Sequence, residues 1–109
     1  MAGLLKPQSA AILVTELKKA IDIPIHLHTH DTSSIQSTTY YEAINAGVDV
    51  VDVAISSMSG LTSQPNFNSL VAAMEGHERN GEHDVASLKY MIMKSQAVSI
   101  LIYALKPLL

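Results

Sequence analysis

Apolar residues recur every three or four positions near the start of the chain, at Leu13, Val14, Leu17 and Ile21. This spacing predicts an amphipathic helix. Pro7 suits the first turn of that helix, where a missing N–H costs no hydrogen bond.

The pattern then changes from helical spacing to strict alternation. Residues Ile23–Thr29 are predicted to form a strand, with Ile25 and Leu27 directed to one face. Histidines occupy the alternate positions that follow Ile25, at His26, His28 and His30, the last of which lies just beyond the predicted strand.

A second helix and strand follow. Tyr40–Ala46 is predicted to be helical, and Gly47 is a typical helix stop. Val48–Ala54 has the β-branched content of a strand. The pattern then predicts a loop over Ile55–Asn66 and a helix over Asn68–Glu75. A final helix is predicted over Val85–Leu105.

Alternating helices and strands predict an α/β fold with a parallel sheet. Parallel sheets are covered on both faces, which two strands and their helices cannot achieve alone. We therefore expect the chain to be a piece of a larger domain.

Composition narrows the choice of function. The 109 residues are 48% hydrophobic and 16% charged, with a net charge of −3, which is typical of a globular chain with no basic surface for nucleic acid or an anionic membrane. Cysteine is absent, so thiolate ligands are excluded. We find neither a signal peptide nor a stretch of about 20 apolar residues, and we expect a cytoplasmic protein without a membrane partner.

The histidine strand is the strongest candidate for chemistry. Two imidazoles at alternate strand positions have Cα atoms roughly 6.6 Å apart and can share one divalent ion. If the parallel strands belong to a (β/α) barrel, functional sites lie at the carboxyl ends of the strands. That position favours His28 and His30 as ligands over His26, which lies farther from the carboxyl end. The competing interpretation is a set of packed or hydrogen-bonded core histidines.

Several neighbouring residues allow two interpretations. Asp31 and Thr32 could support a ligand, as His26 could, but Thr32 could equally be a helix N-cap. One of Asp49 and Asp52 could face the interior of a barrel, but a salt bridge or a hydrogen bond at the strand end is at least as compatible with their positions. Two further histidines, His77 and His83, fall in a polar stretch and are expected to be exposed. The loop Ser56–Gln64 could contact substrate or merely connect two elements.

Four segments, in order, resemble the carboxyltransferase domain of the pyruvate carboxylase family: MAGLLKP at 1–7, PIHLHTHDTS at 24–33, AGVDVVD at 46–52 and SMSGLTSQP at 57–65. The resemblance covers residues 1 to about 89. The H-x-H-D-T element is shared with related metal-dependent lyases and decarboxylases, whereas the MSGLTSQP loop is more specific.

The resemblance implies a partial TIM (β/α) barrel containing later βα units of that domain. It also implies a biotin-dependent enzyme that uses ATP to carboxylate biotin and then transfers CO2 from carboxybiotin to pyruvate, giving oxaloacetate. The biotin and ATP chemistry would belong to domains outside this chain, in a homo-oligomeric parent. The alternatives are a related lyase or decarboxylase and a non-catalytic remnant.

The resemblance implies a divalent metal, Mn or Zn, held by His28 and His30 together with an Asp and a carbamylated Lys. That Lys would fall just before Met1, and the Asp also lies outside the chain, so we expect the chain alone to be inactive. Ser34 stands where the family usually has Gly. Residues 90–109 depart from the family and are predicted to form a divergent helical tail.

Overall fold

A computed structural model of the chain describes residues 2–80 and 101–105. In chain order the elements are helix α1 (Pro7–Ala20), strand β1 (His26–Leu27), helix α2 (Gln36–Ala46), strand β2 (Val50–Val53), a 3-10 turn (Ser56–Met58), helix α3 (Phe67–Ala73) and strand β3 (Leu101–Ala104). None of the helices within the described ranges is long and apolar enough to cross a membrane.

Strands β1 and β2 are parallel, with His26 opposite Val50 and Leu27 opposite Val51. Helix α2 connects them, so β1, α2 and β2 form the βαβ unit that the sequence predicted. Strand β1 is shorter than expected because the backbone leaves the ladder at once: the Thr29 N–H donates to the Tyr40 hydroxyl, and the Asp31 N–H to the Ser63 carbonyl. These bonds tie the end of β1 to α2 and to the loop after β2.

The core lies on one face of the sheet, between the strands and the helices. Val51 and Val53 of β2 are directed towards it and are fully buried. Helices α1, α2 and α3 cover these side chains with Ala10, Val14, Tyr40, Ala43, Ile44, Phe67, Leu70 and Val71. Because side chains alternate along a strand, Asp52 and the histidines are left on the opposite face.

Helices α2 and α3 begin at residues other than the predicted ones, and contacts at their first turns explain both differences. Helix α2 starts at Gln36 rather than Tyr40 because the Asp31 carboxylate accepts a hydrogen bond from the Gln36 N–H at 3.0 Å. Helix α3 starts at Phe67 because the Asn66 side chain accepts from two N–H groups of its first turn.

The prediction of a helix over Val85–Leu105 is wrong for Leu101–Ala104, and for the same four residues so is that of a helical tail over 90–109. Leu101–Ala104 is a strand, antiparallel to β2, with Tyr103 opposite Val51. Strand β2 otherwise presents an unpaired edge, and pairing satisfies its backbone groups. Tyr103 is fully buried, and its ring packs edge-on against Phe67. Residues 81–100 and 106–109 lie outside the described ranges.

The turn after β1 holds Ser34 in the left-handed region, at φ 63°. This conformation destabilises a residue that has a Cβ by about 1–2 kcal/mol. A glycine would relieve that strain, but part of the gain is offset because glycine also makes the unfolded chain more flexible. We expect Ser34→Gly to raise the free energy of unfolding by about 0.5–1 kcal/mol in urea denaturation. Ser34→Ala keeps the Cβ and serves as the control. An equal gain in both variants would contradict the strain.

Candidate metal centre

His26 of β1 and the two histidines that follow it, His28 and His30, lie on the side of Asp52, opposite the helices. Ile25 and Leu27 pack against the core, as the alternation predicted. The side chains of His26 and His28 are about half exposed, at 49% and 45%. Their rings can therefore be reached from solvent without unfolding the chain.

The rings of His28 and His30 converge. Their Nε2 atoms are 3.3 Å apart, and the rings meet edge to face with centroids 5.1 Å apart. Two nitrogens that share one ion at about 2.0–2.1 Å each cannot be farther apart than about 4.2 Å. The observed separation is compatible with a shared ion.

The opposite nitrogens of the two rings are bonded to groups that can only accept. His28 Nδ1 is 2.7 Å from Asp52 Oδ2, and His30 Nδ1 is 2.5 Å from the Thr62 carbonyl oxygen. Both Nδ1 atoms therefore carry the proton, and in the neutral rings both Nε2 atoms present lone pairs to each other. Facing lone pairs repel unless a cation or a proton lies between them.

Asp52 contacts two histidines at once. Its Oδ1 is 2.6 Å from His26 Nε2, while its Oδ2 takes the His28 contact. The carboxylate is only 12% exposed. Burial alone would raise its pKa, but the hydrogen bonds and charges of the two imidazoles hold the pKa below its usual value.

Two aspartates, Asp49 just before β2 and Asp52 within it, thus have different surroundings. Asp49 Oδ2 accepts from the Ile25 N–H at 2.7 Å and from Lys18 Nζ at 3.0 Å, which joins α1 to the strands. Asp52 faces the histidines. The sequence left the two open, although alternation between Val51 and Val53 was the signal that Asp52 points away from the core.

The residues just after the histidines form the connection to α2. The Asp31 carboxylate caps that helix, and its contact is with the Gln36 N–H rather than with an imidazole. Thr32 is exposed. The alternative prediction of Thr32 as the N-cap is wrong, because α2 begins four residues later with Ile35 at that position.

The loop over Ser56–Gln64, which contains Gly60, lies beside His30. Besides the Thr62 carbonyl on His30, the Ser63 carbonyl accepts from the Asp31 N–H at 2.8 Å. A tight turn, with Ser63 N–H donating to the Gly60 carbonyl at 2.8 Å, presents both carbonyls. The loop therefore holds His30 and Asp31, which follow β1, in place.

Gln36 is a buried residue that the sequence did not single out. Its Nε2 donates to the carbonyls of Gly3 and Leu5, and its Oε1 accepts from the Thr29 hydroxyl. Gly3 has φ 69°, and a Cβ there would come within 2.9 Å of the His30 carbonyl oxygen. Gln36 and Gly3 together hold the segment before α1 against the end of the histidine strand.

The remaining histidines are elsewhere. His77 is half-buried rather than exposed, with Nε2 2.7 Å from Asn45 Oδ1 and Nδ1 accepting from the Arg79 N–H. His83 lies outside the described residues. Within the described residues no group of three or more His, Cys, Asp or Glu side chains could hold a metal ion. The converging pair can supply only part of a coordination shell.

A model of the family described as HMGL-like matches residues 1–98, nearly the whole chain. The chain belongs to the HMGL-like family. Relatives within it are pyruvate carboxylases: that of Staphylococcus aureus is 56% identical over 89 residues, which are 82% of this chain and 8% of that protein. That of Bacillus subtilis is 55% identical over 91 residues, 84% of this chain and 8% of that protein.

Solved structures agree with this assignment. The carboxyl transferase domain from Rhizobium etli pyruvate carboxylase with pyruvate superimposes with a TM-score of 0.82 at 47% identity, covering 85% of this chain and 16% of that chain. The resemblance to the carboxyltransferase domain is therefore confirmed and is favoured over lyases or decarboxylases. This HMGL-like chain spans less than a tenth of the length of those two carboxylases.

Proposed function

We propose that this chain supplies later βα units of a carboxyltransferase TIM barrel and, within them, half of a divalent metal site. The parent enzyme would be a biotin-dependent pyruvate carboxylase that transfers CO2 from carboxybiotin to pyruvate, giving oxaloacetate. The observation that carries the proposal is the convergence of His28 Nε2 and His30 Nε2 at 3.3 Å in a chain whose relatives are pyruvate carboxylases.

The donor set fits a divalent ion such as Mn or Zn. Neutral imidazole is a common ligand of both, and each ring donates its other N–H to a protein oxygen, as metal-bound histidines usually do. A bound ion would also remove the repulsion between the two facing lone pairs. Solvent reaches the pair, so an ion and a substrate could enter.

The remaining ligands would come from outside the chain. The resemblance assigns one of them to a carbamylated Lys directly before Met1. Gly3 packs against the His30 carbonyl, so the segment that precedes α1 approaches the histidine pair. This packing supports a ligand entering from that direction.

The metal would act as a Lewis acid towards charge near the enolate of pyruvate. The residues of this chain would orient the metal ligands. His28 and His30 would direct their Nε2 lone pairs at the ion, and the loop over 60–63 would hold the His30 ring in place. Biotin and ATP would be bound by other domains of a homo-oligomeric parent. A cytoplasmic location belongs to this proposal; the mouse relative, by contrast, is called mitochondrial.

A segment exchange tests the proposed activity. Residues 2–80 would replace the matching segment of Bacillus subtilis pyruvate carboxylase, and oxaloacetate formation would be measured with pyruvate, ATP and bicarbonate. We expect the chimera to retain activity within about tenfold, and the same chimera with His30→Ala to lose at least about 100-fold. A folded chimera without activity, or an active His30→Ala chimera, would contradict the proposal.

A further inference from the structure

One carboxylate is bonded to two histidines through opposite ring nitrogens. Asp52 meets His26 at Nε2 but His28 at Nδ1. A carboxylate can only accept hydrogen bonds, so each of these nitrogens must carry a proton. The neutral rings of His26 and His28, two residues apart in the chain, are thereby held in opposite tautomers.

The consequence differs for the two rings. Free histidine in water favours the Nε2–H tautomer, which is the form that Asp52 requires of His26. For His28 the carboxylate requires the less favoured Nδ1–H tautomer, and that tautomer frees Nε2 to face His30. The Thr62 carbonyl imposes the same tautomer on His30 through its main chain.

We propose that Asp52 is a positioning residue that fixes His28 as the Nδ1–H tautomer, while its second oxygen, anchored on His26, fixes the orientation of the carboxylate. The role is useful to the protein only if the proposed metal function is correct. The tautomers can nevertheless be measured without metal, because they exist in the metal-free chain. It also gives His26 a role, that of holding the carboxylate rather than binding metal.

Asp52→Asn tests the role sharply. An asparagine offers one accepting oxygen and one donating NH2 group, so it cannot accept from both imidazoles. One of the two rings must then turn its unprotonated nitrogen to the amide or lose the bond. Asp49→Asn is the matched control: it makes the same change one residue before β2, but that carboxylate contacts Lys18 and the Ile25 N–H.

Nitrogen-15 NMR of the imidazoles reports the tautomers directly. In the full chain at alkaline pH, where imidazole is neutral, we expect His28 and His30 as Nδ1–H and His26 and His77 as Nε2–H. His77 is an internal reference, since the Arg79 N–H donates to its Nδ1. Asp52→Asn should change His26 or His28 and leave His77 unaltered, whereas Asp49→Asn should change none of them.

The affinity for Zn²⁺ alone, measured by competition with a chelating dye, supplies the second readout. Loss of a group that orients a ligand typically costs about 10–100-fold in metal affinity, and we expect that loss for Asp52→Asn only. His28 as Nε2–H in the wild-type chain, or tautomers unchanged by Asp52→Asn, would overturn the positioning role. Correct tautomers in a chain that does not bind Zn²⁺ would instead overturn the metal site and leave the positioning role intact.

Discussion

Tyr103→Ala is expected to lower the free energy of unfolding by about 3–5 kcal/mol, the usual cost of deleting a buried aromatic ring. The side chain is fully buried, packs edge-on against Phe67 at a centroid distance of 5.6 Å and donates from its hydroxyl to Asn80. In a small domain such a loss is a large part of the total stability. Urea denaturation followed by circular dichroism measures it.

Tyr103→Phe is the matched control for this substitution. It keeps the ring and removes only the hydroxyl, so we expect a loss of about 0.5–1.5 kcal/mol. If Tyr103→Ala leaves the unfolding midpoint unchanged, β3 does not pack on β2 in solution. A barrel strand pairs in parallel with its neighbours, so such a result would also leave the edge of β2 free for the next strand of a barrel.

His28→Ala is expected to weaken Zn²⁺ binding by the chain at least about 100-fold, or about 2.8 kcal/mol. The substitution removes one of two ligands and leaves His30 Nε2 without its facing partner. Because the described residues hold no third ligand near the pair, the wild-type affinity should itself be modest. Dialysis against Zn²⁺ at fixed free concentration measures both.

Two other histidine variants show whether the effect is specific. His77→Ala removes an imidazole that is bonded to Asn45, and we expect it to leave the affinity for Zn²⁺ unchanged. His26→Ala should cost far less than His28→Ala, since His26 Nε2 is directed at Asp52. The ligand assignment is wrong if His26→Ala abolishes binding while His28→Ala does not.

Local periodicity predicted the central part of the fold. The alternation of Ile25 and Leu27 with histidines and the β-branched run at Val48–Ala54 are local patterns, and both strands lie within the predicted ranges, although each is shorter. The start of α2 was missed because its cap is Asp31, which reaches forward across the turn to the Gln36 N–H.

The last strand could not be predicted from its own residues. Leu101–Ala104 is a short apolar run, and such a run is equally compatible with a buried helix or a buried strand. What decides its conformation is pairing with β2 and the packing of Tyr103 against Phe67, and both partners are distant in sequence. Tertiary contacts of this kind override local preference.

The site was predictable to the extent that it depends on side-chain identity and spacing. The H-x-H pattern indicated His28 and His30 as a pair, and the rings do converge. The partner of His28, Asp52, depends on the register between β1 and β2, which a single sequence does not specify. The partner of His30 is the main-chain carbonyl of Thr62. Every residue has such a carbonyl, so the amino-acid sequence does not indicate this contact.

The central claim is that His28 and His30 together bind one divalent ion through Nε2. Titrating the full chain with Zn²⁺ while recording nitrogen-15 imidazole spectra tests it most directly. We predict that the Nε2 resonances of His28 and His30 shift together and saturate at one equivalent, while those of His26 and His77 keep their positions. A shift centred on His26 or His77, or independent shifts of His28 and His30 at different Zn²⁺ concentrations, would contradict the claim.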